Sequence, residues 1–210
     1  MKLTSDNKII YALGVMGRLV IVNVLVILCS LPVVTAEAAL AAGYACMTGK
    51  EAPDSEVTAC VFFRVFRSSL RAGIPVGLLL LAGTAAALGD LFYAVAVAER
   101  VNWFFLCFAV LMLITLAGIG VWTIPLLARY ENTVSGYLKN AFLLAFGRLP
   151  VTLAVWAVIL AAMLPLGLAG FVRSFGWLYP LCGAAGILYL AGLILERDLS
   201  RKEKLWQQFH

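Results

Sequence analysis

Hydrophobic residues occur in long blocks along this chain, and the charged residues lie between the blocks. A helix that crosses a bilayer needs about 20 mostly apolar residues, and backbone in lipid must satisfy its hydrogen bonds within a helix. Five blocks meet this length, at residues 11–31, 73–98, 102–128, 150–171 and 175–195. The pattern therefore predicts an all-α, polytopic transmembrane bundle with five long spans, forming one membrane domain over residues 1–210.

A sixth apolar block, residues 33–47, is shorter and reaches only about 22 Å as a helix. Pro32 separates it from the first span, and proline disfavours helix at the preceding residue, so we predict a break at Leu31–Pro32. This membrane-embedded helix fits three arrangements, which the pattern leaves open: a short span, a half-inserted helix or an interfacial helix.

Two further segments, residues 56–71 and 131–148, are amphipathic, with basic residues on one side. They are predicted to be cytoplasmic-side interfacial helices, or else ordinary helical connections packed on the bundle. A shift of 75 residues relates them, aligning Glu56, Thr58, Arg64, Pro75 and Val76 with Glu131, Thr133, Lys139, Pro150 and Val151. Each copy is predicted to form an amphipathic helix, followed by a proline at the start of a long apolar helix. Duplication and shared helix-start chemistry both explain the match.

The composition supports a membrane assignment and gives the basic charge a topological meaning. Hydrophobic residues make up 63% of the chain and charged residues 13%, and the net charge is +5. Lysine and arginine number four in residues 48–72, one in 99–101, three in 129–149, one in 172–174 and four from residue 196 onward. Basic residues favour cytoplasmic loops, so the longer loops and the C-terminus are predicted to be cytoplasmic, and no nucleic-acid partner is expected.

The side of the N-terminus depends on the short helix. Lys2 and Lys8 favour a cytoplasmic N-terminus, which requires an even number of crossings and hence a crossing by residues 33–47. Without that crossing, the N-terminus would lie outside. We expect it to be cytoplasmic.

Ionisable residues within spans are costly and are functional candidates by default. Asp90 lies in the outer half of its span, where it is either functional or paired with Arg100 or Arg173. In the first span, Arg18 is expected to snorkel to an interface and Asn23 to bond across helices.

Four more candidates lie at predicted helix ends. Glu37 follows the Pro32 break, where the dipole of a helix start favours it, or where it shares a polar cavity with Arg18 or Asn23. Arg129, Glu131 and Asn132 mark the cytoplasmic end of the third long block, where a capped, solvated helix end is the simpler interpretation.

Catalytic, metal and cofactor chemistry have no support in the sequence. The only histidine is His210, and the five cysteines form no CxxC pair, so we expect reduced, buried cysteines. The chain also lacks a nucleotide-binding loop and the motifs of intramembrane enzymes. We predict that it is not an enzyme and carries no cofactor.

Two stretches resemble the YesL family of bacterial integral membrane proteins, a domain of unknown function. The first is Asn23–Thr35, in which an apolar run leads to Ser-Leu-Pro and a threonine, and it adds Thr35 to the candidates. The second is Pro125–Thr133, followed by Leu138–Ala141 and Pro150. The resemblance implies a bacterial cytoplasmic-membrane protein linked to carbohydrate uptake, without implying a mechanism or an oligomeric state.

The leading functional hypothesis is an accessory or regulatory membrane protein, whose partners are the bilayer and a membrane transport complex. Its support is the resemblance together with the two basic amphipathic segments. The alternative is a small transporter or channel, which needs Arg18, Asn23, Glu37 and Asp90 to converge on one polar path.

Overall fold

The computed structural model describes residues 5–48, 55–97, 102–163, 186–195 and 197, and every regular element in them is helical. The all-α prediction is confirmed for these residues. The helices are α1 (Ser5–Ser30), α2 (Ala36–Thr48), α3 (Ser55–Phe92), α4 (Trp103–Arg129), α5 (Val134–Gly147), α6 (Leu149–Met163) and α7 (Gly186–Leu195). A short 3-10 helix, Val33–Thr35, precedes α2, and a π-helical segment, Tyr93–Val97, follows α3.

Fewer helices than predicted are long and apolar enough to cross a membrane. Among the described residues, α3 and α4 meet that test, and α5 with α6 makes a third if the pair counts as one span bent by 93°. Within α1, the segment Gly14–Ser30 is apolar but shorter than that length. The predicted spans 150–171 and 175–195 lie partly outside the described residues. The helical bundle is thus confirmed only coarsely, with two or three candidate spans among the described residues against five predicted for the whole chain.

The prediction of a separate amphipathic helix over residues 56–71 is wrong, because α3 continues through it into the apolar block. The 38 residues of α3 make a rod of about 57 Å. Pro75 lies inside it without ending it. The start of α2 explains this continuity, since Ala38 packs against Gly73 just before the proline and Glu37 against Gly77 just after it.

The second copy of the repeat does form two helices, as predicted. The chain turns by 93° between α5 and α6 at Arg148, and Pro150 lies in the first turn of α6. Thr133 caps α5, and its side chain accepts a hydrogen bond from the Gly136 amide at 3.2 Å. The equivalent Thr58 lies inside α3, so the two copies share a sequence pattern but not a backbone path.

The predicted break at Leu31–Pro32 is confirmed, and it turns the chain back on itself. α1 ends at Ser30, and Pro32 adopts an extended conformation with φ −75° and ψ 107°. The Thr35 hydroxyl lies 2.5 Å from the Cys29 carbonyl and 2.8 Å from the Pro32 carbonyl, the first of which belongs to the last turn of α1. Such carbonyls lack helical partners, so Thr35 stabilises the turn.

α1 and α2 form an antiparallel hairpin. At its open end, the Arg18 guanidinium donates to the Cys46 carbonyl at 3.4 Å, while Thr35 bonds Cys29 at the turn. The N-terminal half of α1 and the end of α2 therefore lie at the same end of the molecule. An antiparallel return of this kind is compatible with both the short-span and the half-inserted arrangements predicted for residues 33–47.

Small residues let α2 lie buried among its neighbours. Eight of its thirteen residues are buried, namely Ala38, Ala39, Ala41, Ala42, Gly43, Tyr44, Cys46 and Met47. A Cβ atom at Gly43 would come within 2.7 Å of Val26 on α1 and 2.9 Å of Leu188 on α7. An added methyl group would force these side chains or their helices to shift, so Gly43 suits this close packing.

α3 and α4 run antiparallel beside the hairpin. Ser69 donates to the Leu127 carbonyl at 3.3 Å, and at the other end the Tyr93 and Phe105 rings lie 5.7 Å apart. Many large apolar side chains on both helices are exposed, including Leu79, Leu88, Phe92, Trp103, Phe104 and Leu111. An apolar surface of this extent is typical of helices that face lipid.

The expectation of buried cysteines holds only in part. Cys46 is buried and Cys29 is half-buried, but Cys60 and Cys107 are exposed, and all four are free thiols. Cys107 lies on α4 beside the exposed apolar side chains Phe104 and Leu111 in sequence. Cys182 lies outside the described residues.

The corner between α5 and α6 gives the first testable prediction. The buried Trp122 indole donates to the Thr152 hydroxyl at 2.9 Å, and this hydroxyl lies 3.1 Å from the Ala145 carbonyl and 3.2 Å from the Arg148 carbonyl. Thr152→Val leaves the indole N–H without its acceptor, so we expect a loss of about 1 kcal/mol in the free energy of unfolding.

The measurement is denaturant unfolding of the purified protein in detergent, with Thr115→Val as the control. In the described part of the chain, the Thr115 hydroxyl bonds the Leu111 carbonyl one turn earlier in its own helix. We expect this control to lose less than about 0.5 kcal/mol, as is usual away from buried networks. Equal losses in both variants would contradict a special role for the Trp122–Thr152 bond.

Candidate functional site

Glu37 occupies the first turn of α2, directly after the hairpin turn. Its position is favourable for a carboxylate, because the amide groups of a helix start carry partial positive charge. The Thr123 hydroxyl on α4 lies 3.2 Å from Glu37 Oε2, a contact that joins residues 86 positions apart. On its other side, Glu37 packs against Gly77, where an added Cβ would lie 3.3 Å from its Cγ.

The Glu37 pocket, an open cavity of about 400 Å³, lies between the start of α2, α3 and α4. Apolar and small residues make up most of its lining, among them Val33, Leu80, Leu81, Leu116 and Gly120. Thr84 also lines it, but its hydroxyl donates to the Leu80 carbonyl at 2.7 Å within α3. Glu37 is the one charged residue among the described residues that line the pocket.

The hydrogen bonding of Glu37 is incomplete in the described part of the chain. Thr123 has one hydroxyl proton but two acceptors nearby, the Gly120 carbonyl at 2.8 Å and Glu37 Oε2 at 3.2 Å. The shorter contact competes for that proton. A carboxylate accepts up to four hydrogen bonds, so Glu37 retains most of its accepting capacity toward the pocket.

Of the four residues of the predicted polar path, only Glu37 lines the Glu37 pocket. Arg18 lies at the open end of the hairpin, and Asn23 is fully buried. Asp90 lies thirteen residues beyond Gly77 on α3, or about 20 Å along the helix axis. The proposed partners of Asp90, Arg100 and Arg173, are outside the described residues.

The remaining predicted residues lie at the end of α4 and in the connection between α4 and α5. Arg129 is in the last turn of α4, and Glu131 and Asn132 are exposed in the connection that follows. The hydroxyl of the buried Tyr137 accepts from the Asn132 amide at 3.1 Å and donates to the Tyr130 carbonyl. One side chain thus fixes the 130–132 connection, beside an open cavity of about 510 Å³ lined by Glu131, Asn132 and Asn140. The interpretation of a capped helix end fits this geometry.

Sequence reasoning missed Thr123, Gly77 and Tyr137. Each is a common residue type inside a helix, and each matters through a partner on another segment. Only Thr123 had a local signal, since Thr123-Ile124-Pro125 matches Ser30-Leu31-Pro32 loosely, and that match did not point to Glu37.

Among the described residues, no group of three or more histidine, cysteine, aspartate or glutamate side chains is arranged to hold a metal ion. Comparisons with models of known families, with curated proteins and with solved structures found no match. The resemblance noted in the sequence therefore remains an expectation, and function must be argued from the geometry.

The 130–132 connection gives a second prediction. Tyr137→Phe removes the hydroxyl that bonds both sides of the connection, so the Asn132 amide loses its acceptor. We expect hydrogen exchange across 130–133 to accelerate by about tenfold, which corresponds to one lost hydrogen bond of about 1.4 kcal/mol. Exchange is measured by mass spectrometry on the detergent-solubilised protein.

Tyr189→Phe is the matched control, because Tyr189 is exposed on α7, far along the chain from the connection. Exchange over 130–133 should be unchanged in this variant. If Tyr137→Phe also left it unchanged, the hydroxyl would not be what orders the connection.

Proposed function

We propose that this chain is a non-enzymatic integral protein of the bacterial cytoplasmic membrane, acting as an accessory or regulatory component of carbohydrate uptake. The basic stripe, which is Arg64, Arg67 and Arg71 on α3, is the observation that carries the proposal. These residues have the i, i+3, i+7 spacing of one helix face, and all three are exposed. The link to carbohydrate uptake comes from the resemblance to the YesL family.

The distribution of exposed side chains along α3 supports a membrane boundary near Arg71. From Ala72 to Phe92 the helix is about 31 Å long, which matches the hydrocarbon thickness of a bilayer, and its one charged residue, Asp90, lies near the far end. Phe92, Tyr93 and Trp103 are exposed at the far end, as expected for aromatic residues at an interface. The half of α3 that carries the basic stripe then projects into the cytoplasm.

The α1–α2 hairpin supports a cytoplasmic N-terminus without a full crossing by residues 33–47. Its open end lies beside the first turns of α3, since the Cys46 thiol contacts the Thr58 carbonyl at 3.6 Å. Its turn reaches Gly77, about 9 Å along α3 beyond Arg71. In this placement the hairpin enters the membrane only partway, which also removes Arg18 from the bilayer interior.

The basic stripe suits a docking role because α3 is continuous from the stripe into the membrane. Exposed arginines at the cytoplasmic surface attract anionic lipids and also bind carboxylates in pairs of parallel hydrogen bonds. A partner that presses on the stripe therefore acts directly on a transmembrane helix. We propose an acidic surface of a carbohydrate-uptake membrane complex as that partner.

A small transporter remains the second candidate, because the Glu37 pocket places a carboxyl group among apolar helices. Arg18, Asn23 and Asp90 do not line that pocket, so a continuous polar path has less support than docking.

The topology is tested by labelling single cysteines with a membrane-impermeant maleimide, after the other cysteines are replaced. We expect Cys60 and Met16→Cys to react only from the cytoplasmic side, and Asn102→Cys only from the opposite side. All three positions are exposed, so differences report the side of the membrane. Reaction of Met16→Cys and Asn102→Cys from the same side would contradict the hairpin placement.

The docking role is tested by co-purification in mild detergent from cells grown on carbohydrates. We expect the wild type to recover a component of a carbohydrate-uptake system, and the triple variant R64Q/R67Q/R71Q to recover at least about tenfold less. The matched control R64K/R67K/R71K keeps the charge and should recover more than the glutamine variant. Recovery of no uptake component by the wild type, or equal recovery by the glutamine variant, would refute the docking role.

A further inference from the structure

The Glu37 pocket combines one carboxyl group with walls that are otherwise apolar. Burying a carboxylate without a compensating charge is costly, and among the described lining residues none is cationic. Thr123 is shared with the Gly120 carbonyl and satisfies Glu37 only partly. The site therefore lacks a cationic donor, and its geometry leaves room for one.

We propose that the Glu37 pocket binds the protonated amine of an amphiphile, whose hydrocarbon part lies along the apolar walls. An ammonium group supplies both the missing positive charge and the N–H donors that Glu37 can accept. A neutral hydroxyl supplies a donor but no charge, and an anion would be repelled. The proposal is independent of the accessory role of the protein.

The size and lining of the pocket fit such a ligand. Its volume of about 400 Å³ lies within the range of small-molecule pockets, roughly 300–1,000 Å³. Gly120 leaves space on α4, where an added Cβ meets nothing within 4 Å, and Leu80 and Leu116 provide apolar contacts for a hydrocarbon chain. Polar groups are few and fix orientation, as is usual in such sites.

The pocket opens on an apolar surface, because its lining residues Val33 and Leu81 are themselves exposed. An amphiphile dissolved in the bilayer reaches the site from there. The amine then comes from one of two sources, a lipid with a primary amine in its headgroup or a free amphiphilic amine.

The experiment measures binding of n-decylamine and n-decanol to the purified full-length protein in non-ionic detergent by titration calorimetry. The two probes share a hydrocarbon chain and differ in the charge of the head. We expect the wild type to bind decylamine at least about tenfold more tightly than decanol, because hydrogen bonds between charged groups are the stronger ones. Glu37→Gln, of nearly equal size, should lose at least about tenfold in decylamine affinity and change little toward decanol.

Two glycine variants test the location of the site. A Cβ at Gly120 meets nothing within 4 Å, and Gly120 lines the pocket, so Gly120→Leu adds side-chain volume there and both probes should bind at least about tenfold more weakly. Gly89 on α3 is equally open but lies outside the pocket lining, so Gly89→Leu should bind both probes as the wild type does.

The source of the amine is identified in nanodiscs that contain equal amounts of phosphatidylethanolamine and phosphatidylcholine with the same acyl chains. Preferential retention of phosphatidylethanolamine by the wild type, lost in Glu37→Gln, would support a lipid headgroup as the ligand. Decylamine binding without lipid preference would support a free amphiphile. Wild-type decylamine binding no tighter than decanol binding, or unchanged by Glu37→Gln, would overturn the proposal.

Discussion

The close packing of α1, α3 and α4 around α2 is the constraint on which the rest of the structure depends. Between helices in lipid, the hydrophobic effect offers little attraction, so van der Waals contact and hydrogen bonds must hold them together. α2 meets this demand with alanine and glycine, and at Gly43 even one methyl group would collide with Val26 and Leu188. Because α2 is narrow, its first turn reaches α3 and α4 together, which brings Glu37 between Gly77 and Thr123.

The sequence pattern predicts those features that depend on local chemistry. The apolar block 102–128 corresponds closely to α4, Trp103–Arg129, because aromatic and arginine residues mark its ends. The break at Leu31–Pro32 is equally local, since proline restricts the backbone on both sides of itself. The extent of α3 was not predictable in this way. Its continuity through Pro75 depends on contacts from α2, which no window of the sequence contains.

The candidate site also combines features that the local sequence predicts with features that depend on contacts between helices. Glu37 was a candidate from sequence because a carboxylate in an apolar block is costly wherever it lies. Its partner Thr123 could not be predicted, since the contact depends on the register between α2 and α4. The predicted polar cavity shared by Glu37 and Arg18 likewise depends on how the helices pack. The antiparallel hairpin separates Arg18 from Glu37 by most of the length of α2, because Arg18 bonds Cys46 near the end of α2 while Glu37 lies in its first turn.

The two copies of the 75-residue pattern show how few residues decide between a straight helix and a corner. Gly73 and Gly77 flank Pro75 in the first copy, and Arg148 and Thr152 take their places around Pro150. The glycines admit α2 against α3, and that contact supports the helix through the proline. In the second copy, the Thr152 hydroxyl instead reaches the carbonyls of Ala145 and Arg148, and Trp122 holds it there. A similar sequence therefore yields one continuous helix in the first copy and a bend of 93° in the second, so the copies share a sequence pattern and not a backbone path.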